Sequence, residues 1–277
     1  MKNCRPVRTM PGRTAALIMV WGAMTACGAP QFAAPADLET DPIALLESSV
    51  AAAEAIRSAR IRATLEYYGE GGRARVRQAV LVQAPNRVRI ETISPLDTSL
   101  SVLLLNGESL VYYDIAGELY LTGEPTAEHI GQLIPIRLSP EDIVRVMVGG
   151  PPLAGLADDL SLATVEWNAR EGWYDLRVPL ADGGTMLLGV IHESRGVAWV
   201  QEQDARGREE WTLRGGDRRV VDGADGVVEV PYRLRFRMRA GQVDISLEVE
   251  RYTVNPELSD ELFSLDPPRG IEVRALR

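Results

Sequence analysis

The stretch RIRATLEYYGEGGRARVRQAVLV, residues 60–82, sets the fold class. Ile61, Ala63, Leu65 and Tyr67 alternate with polar residues, the pattern breaks at a glycine cluster, and Val76, Val80 and Val82 resume it. A period of two is the mark of a strand with one buried face. Two glycines between such runs predict a tight hairpin, with Gly71-Gly72 as its loop. In that register Glu70 faces Arg73, Tyr68 faces Arg75 and Glu66 faces Arg77, so several arginines form cross-strand pairs. Gly69, Gly71 and Ala74 also match G-x-G-x-x-A, the spacing of a dinucleotide-binding loop. That motif needs a helix next, whose first amides hold the pyrophosphate. Here another strand follows, and the nucleotide reading fails.

The same alternation recurs on both sides of the hairpin. RVRIETI (87–93), LSVLLLNG (100–107), SLVYYDI (109–115) and ELYLTG (118–123) read as strands. VLLL and LVYY are apolar on both faces, which predicts a place where the sheet is covered on both sides. Upstream, Asp41 caps a helix with Pro42 in its first turn, and Ile43, Leu46, Val50 and Ala53 make its apolar stripe. Two short helices interrupt the strands at PTAEHIGQLI (125–134) and SPEDIVRVMVGG (139–150), the second capped by Ser139. Strands then resume over 162–168, 173–179, 185–191, 197–204, 208–214, 227–239 and 242–252. In the last hairpin an Ala240-Gly241 loop sets Arg237 against Asp244 and Arg233 against Glu248. No internal linker divides this order, which predicts one domain over 41–277.

The N-terminus has the parts of an export signal over residues 1–26: Lys2, Arg5, Arg8 and Arg13 without an acid, the apolar run AALIMVWGAM, and the small Ala26. MTAC, residues 24–27, resembles the lipobox of bacterial lipoproteins, with Met24 where leucine is usual. That resemblance implies cleavage before Cys27 and acylation of its thiol. Cys4 would leave with the leader, so no disulfide or thiolate site is expected in the mature chain. The leader also takes four of the 30 basic residues and none of the 39 acidic ones, leaving a net charge of −13. Nucleic acid is a poor partner for such a chain. GAPQFAAPADLET (28–40) lacks periodicity and reads, with Cys27, as a tether over 27–40. Its 13 residues span about 40 Å when extended. By the sorting rule that retains Asp-bearing lipoproteins in the inner membrane, Gly28 implies the outer membrane, facing the periplasm.

The order of one helix, about six strands, two helices and six or seven strands resembles the LolA/LolB-like superfamily of lipoprotein carriers and receptors. The tail VNPELSDELFSLDPPRGIEV (254–273), with Phe263, a Pro pair and a Gly before a last short strand, is similar to the C-terminal signature of that superfamily, and APNRVRIE and PEDIVRVMVGG fit it as well. The resemblance implies an α+β, mostly β fold: an unclosed antiparallel half-barrel of about 11–13 strands, lidded by the N-terminal helix and the two mid-chain helices. It also implies an apolar cavity for acyl chains or lipoproteins. Candidate lining residues are Ile61, Leu65, Tyr67, Val76, Val80, Val88 and Ile90, each of which could equally be ordinary core. In the loop SPLDTSL, Leu96 is the nearest match to the exposed leucine by which the receptor inserts its cargo; the alternative is a leucine tucked under the sheet.

Arg60, Arg62, Arg87 and Arg89 are left without partners by the predicted pairing and form a possible basic patch for anionic headgroups or an acidic partner. No catalytic residue, metal ligand set or cofactor emerges. His129 and His192 lie in no catalytic motif, HESRG lacks the first glycine of a nucleophile elbow, and DGADG (222–226) reads as a turn and not a calcium loop. The reading is therefore a non-enzymatic envelope protein that holds acyl chains in its half-barrel, with a role in lipoprotein delivery to the outer membrane. The alternative is a partner-binding scaffold with a filled interior.

Overall fold

The computed structural model describes residues 31–223 and 226–276. The leader and Cys27 lie outside the described residues, as do positions 224 and 225 of the DGADG turn. Helix α1 (Pro42–Glu54) precedes strands β1 (Ser58–Gly69), β2 (Gly72–Gln83), β3 (Arg87–Ile93), β4 (Ser99–Asn106), β5 (Leu110–Asp114) and β6 (Leu119–Gly123). Helices α2 (Ala127–Leu133) and α3 (Pro140–Met147) follow. Then come β7 (Thr164–Asn168), β8 (Trp173–Pro179), β9 (Thr185–Ile191), β10 (Val197–Gln203), β11 (Glu209–Gly223), β12 (Gly226–Met238), β13 (Val243–Val254) and β14 (Val273–Ala275). All 14 strands join one sheet in the order β14-β6-β5-β4-β3-β2-β1-β13-β12-β11-β10-β9-β8-β7. It is an open half-barrel with more strands than the 11–13 expected. The last of them, β14, pairs with β6 in parallel, whereas every other pairing is antiparallel.

Local chemistry explains the element ends. The Asp41 carboxylate accepts from the amides of Ile43 and Ala44, and Ser139 accepts from that of Asp142, so each helix starts at its capping side chain. The α1 stripe is rotated from the one expected: Leu45, Leu46, Ser49 and Ala53 are buried, and Ile43 and Val50 only partly so. Ser49 is drawn inward because its hydroxyl donates to the Arg195 carbonyl at 2.7 Å. In the first hairpin Gly69 pairs with Gly72, so the loop is Glu70-Gly71 and not Gly71-Gly72. Gly72 takes φ +96°, a conformation open to glycine, and the chain turns one residue early. Glu66 consequently faces Arg75, and Tyr68 faces Arg73. The two-residue shift keeps every side chain on its predicted face. The last hairpin has the expected register, with Arg237 opposite Asp244 and Arg233 opposite Glu248.

The doubly apolar β4 and β5 are covered on both sides. Leu103, Leu105 and Leu110 belong to the main core on the concave side. Leu104 and Val111 face the other way and pack with Tyr120 and Phe263 in a second cluster. Phe263 arrives on the tail, which leaves β13 and crosses the convex face to put β14 beside β6. The Tyr120 hydroxyl donates to the Leu265 carbonyl, and the Arg87 guanidinium lies 5.8 Å from the Phe263 ring centroid. Phe263 is 3% exposed. Phe263→Ala is expected to cost about 3 kcal/mol in urea unfolding and to make the tail after Asn255 sensitive to protease while the rest of the domain resists it.

Candidate functional site

The concave side is hollow in one half and filled in the other. Near the end of the strands that carries the β1–β2 loop lies an apolar cavity of about 380 Å³. Leu65, Tyr67, Val76, Val80 and Ile90, from β1 to β3, line it. Ile61 and Val88 do not reach its wall; each is 0% exposed and sits in the solid core with Val82, Leu105 and Leu45. Sequence reasoning missed the continuation of this wall along the sheet, formed by Leu213, Leu234, Phe236, Ile245 and Leu247 of β11 to β13, where Leu247 and Ile245 pair directly with Leu65 and Tyr67. Their alternation was visible in RLRFRMRAGQVDISLEVE, but it did not say that β13 lies beside β1 and carries on the face of Leu65 and Tyr67. Gln78 and Thr92 are the polar side chains on the lining, which holds no charged group.

The lid has a fixed part and a lightly held part. Ile143, Val146 and Met147 of α3 face the cavity, and α3 packs over β2 and β3. Asp142, 2% exposed, anchors this helix: its carboxylate accepts from the Leu153 amide at 2.8 Å, the Ala154 amide at 3.1 Å and the Arg145 guanidinium at 3.1 Å. Tyr252 donates from its hydroxyl to the Met147 carbonyl at 3.0 Å, and burial pushes its phenol pKa up, so the proton needed for that bond stays in place. Ile134, Pro135, Ile136 and Leu138, between α2 and α3, close the rest of the opening. These residues are outside regular structure, and Ile134, Pro135 and Ile136 are only partly buried.

Leu96 stands clear of the sheet at 86% exposure, on the β3–β4 loop. The loop is braced and holds the side chain out. Ser94 Oγ accepts from the amides of Leu96 and Thr98, both at 3.2 Å, and Arg77 joins the Asp97 carboxylate at 2.9 Å and the Ser94 carbonyl at 2.8 Å. The four arginines of the expected basic patch do not act together. Arg87 pairs with Asp260, and Arg89 pairs with Glu91 and donates to the Leu262 carbonyl, so both hold the tail. Arg60 and Arg62 are exposed on β1 and make no ion pair among the described residues.

Neither histidine sits on the cavity wall. His129 Nδ1 is 2.9 Å from the Glu124 carbonyl. His192 lies between the Tyr174 hydroxyl, 2.9 Å from Nδ1, and the Asp37 carboxylate, 3.3 Å from Nε2. Asp37 belongs to the stretch read as tether, and that stretch is docked over residues 31–40. The Phe32 amide donates to the Ala169 carbonyl at 2.7 Å, Trp167 Nε1 donates to the Phe32 carbonyl at 3.1 Å, and the Glu39 amide donates to the Tyr174 hydroxyl at 3.0 Å. The missing periodicity was a true signal that no helix or strand forms there, but irregular backbone can still be bonded in place.

No family model matches the chain, and no curated protein matches its sequence. Solved structures do match its fold. A DUF1329 family protein from Desulfovibrio piger superposes with a TM-score of 0.56 at 13% identity, over 81% of this chain and 98% of that one. A domain from Vibrio parahaemolyticus, provisionally assigned to outer membrane lipoprotein sorting, gives 0.55 at 11% identity over 80% and 97%. A LolA superfamily protein from Nitrosomonas europaea gives 0.54 at 15% identity over 79% and 97%. With its open 14-stranded sheet, helical lid and coverage of almost the whole of these neighbours, this chain has the LolA-like fold.

Proposed function

We propose that the protein is an envelope lipid-binding protein, tethered through an acylated Cys27, that takes an acyl chain into the cavity between the concave face of β1–β3 and β11–β13 and the lid. The observation that carries this reading is the hollow itself. About 380 Å³ lies within the range of small-molecule sites, and its wall is apolar apart from Gln78 and Thr92. Burying each methylene of a chain there is worth about 0.8 kcal/mol. With no charged group on the wall, recognition is by shape and apolarity, which suits the acyl part of a lipid or lipoprotein and not its headgroup. Lipoprotein delivery to the outer membrane is the role the fold supports best, because a domain of the same fold is assigned to lipoprotein sorting.

Lipid extracted from the purified protein and identified by mass spectrometry is expected to contain stoichiometric acyl species, and the emptied protein to take up a fluorescent fatty acid. Val76→Trp fills the mouth of the cavity and is expected to cut that uptake at least tenfold without loss of the folding transition. An absence of both bound lipid and uptake would leave the scaffold reading in its place.

Leu96 has a separate part in this proposal. A leucine held out by a braced loop is suited to enter a bilayer when cargo is handed over, since its exposure serves no packing inside the fold. Leu96→Ser is expected to leave fatty-acid affinity unchanged and to slow transfer to vesicles severalfold. Equal transfer rates for the two proteins would remove Leu96 from the mechanism. For the anchor, the intact mass of protein recovered from membranes is expected to match a chain starting at acylated Cys27, and Cys27→Ser is expected to release the protein to the soluble envelope fraction.

A further inference from the structure

The apolar wall of the cavity is interrupted where two strands meet. Gln78 of β2 and Thr92 of β3 both line the hollow, and they stand opposite each other in the β2–β3 ladder. The Cβ atoms of side chains paired in this way lie about 5 Å apart. Both residues are half-buried, and no hydrogen bond joins either side chain to another described residue. Val76, Val80 and Ile90, which flank them along the same strands, are apolar.

The ladder also gives the direction in which polarity changes. Beyond Thr92 the same row passes to Ser101 of β4 and Asp114 of β5. On the other side of Gln78 it passes to Ala63 of β1 and Val249 of β13. The cavity wall on that side is made by Leu65, Tyr67, Ile245 and Leu247. Gln78 and Thr92 therefore stand where an apolar surface gives way to a polar row.

A glutamine amide and a threonine hydroxyl are both neutral donors, and from adjacent strands they can converge on one oxygen with two lone pairs. A ligand that laid only methylenes on them would take both groups out of water with nothing in exchange, which opposes binding. An acyl chain carries the matching group at its head, a carbonyl oxygen. A free carboxylate fits less well, because the wall has no cation to offset the loss of its hydration.

Resting on the reading of this hollow as an acyl site, we propose that Gln78 and Thr92 determine its specificity: they hold the neutral carbonyl of an acyl ester or amide, and the hydrocarbon runs on over β1 and β13. The protein then selects its ligand by the linkage at the head of the chain as well as by the chain. An ester would come from a glycerolipid, an amide from an N-acylated peptide, and both present the same oxygen to the pair.

Displacement of a bound fluorescent fatty acid by ligands of matched length tests this: methyl laurate, N-methyl lauramide, and methyl dodecyl ether, which has no carbonyl. The unaltered protein is expected to bind the ester or the amide at least about fivefold more tightly than the ether. The tighter of the two identifies the source. Gln78→Met and Thr92→Val, which remove the donors at similar volume, are together expected to bring that ratio to about one with ether affinity unchanged. Each substitution alone is expected to lower the ratio about twofold, so the pair is tested even where the double variant is unstable. Equal binding of all three ligands by the unaltered protein overturns the proposal and leaves the acyl site standing, as does a fivefold ratio that survives the substitutions. Failure of every ligand to displace the probe, with no lipid extracted from the protein, overturns the acyl reading and this assignment with it.

Discussion

A continuous apolar concave face has to be taken out of water, and the described residues supply three short α-helices to do it. Helices of 13, 7 and 8 residues are too little material to cover a 14-stranded sheet from rim to rim. They are concentrated instead. Leu45 and Leu46 of α1 and Ile143, Val144 and Val146 of α3 join the core that holds Ile61, Val82, Val88 and Tyr174. Toward the other rim the lid thins to the irregular stretch between α2 and α3, and the sheet's side chains face it across a gap. The cavity is thus a consequence of a shortage of helix. Protein interiors close-pack wherever side chains can meet, and here the lid leaves a space above Leu65 and Phe236 on the sheet.

The convex face has the reverse problem, and the chain solves it locally. Most of it is polar and paired: Arg235 and Arg237 share Asp244, whose carboxyl is held below the usual range chiefly by the Arg235 hydrogen bond, and Arg233 meets Glu248. Exposed pairs of this kind add little stability. They keep the wide outer surface wet and arginine-rich without a sticky patch. Over β4 to β6 that face is apolar, and there the tail lies across it with Phe263. The tail also supplies β14 to the β6 edge, while Phe32 bonds to the chain just beyond β7 at the other end of the sheet. Both ends of an open sheet, the usual sites of unwanted strand pairing, are engaged by segments from the two ends of the described chain.

Much of this was legible because strands and helix caps are local. Alternation located the strands from β1 to β13, Asp41 and Ser139 marked two helix starts, and the apolar pairs in β4 and β5 announced a covering layer. What stayed hidden depends on long-range choices. A loop with Gly69, Gly71 and Gly72 offers several turns of similar cost, so its register was not decided by composition. Arg87 and Arg89 looked unpartnered because their partners, Asp260, Glu91 and the Leu262 carbonyl, are remote in sequence or lie on the same strand face. For the cavity, alternation separates inward from outward residues but does not distinguish Ile61, packed solid, from Leu65, two turns of the pleat further along and facing a void. That difference is set by where α1 and α3 end.

The tether is the sharpest case, because its composition was read correctly and its consequence was not. A segment rich in Ala and Pro forms no regular element, yet single bonds to Ala169, Trp167, Tyr174 and His192 are enough to hold it. The bonds also form a connected set. Since the Glu39 amide donates to the Tyr174 hydroxyl, that hydroxyl is free to donate to His192 Nδ1, which leaves Nε2–H pointing at the Asp37 carboxylate. One phenol and one imidazole thereby tie two points of the segment to β8 and the β9–β10 turn. Tyr174 is 0% exposed, so its partners must come to it, and the segment carrying Asp37 and Glu39 does so. Placement of the segment is in this way coupled to the packing of the core.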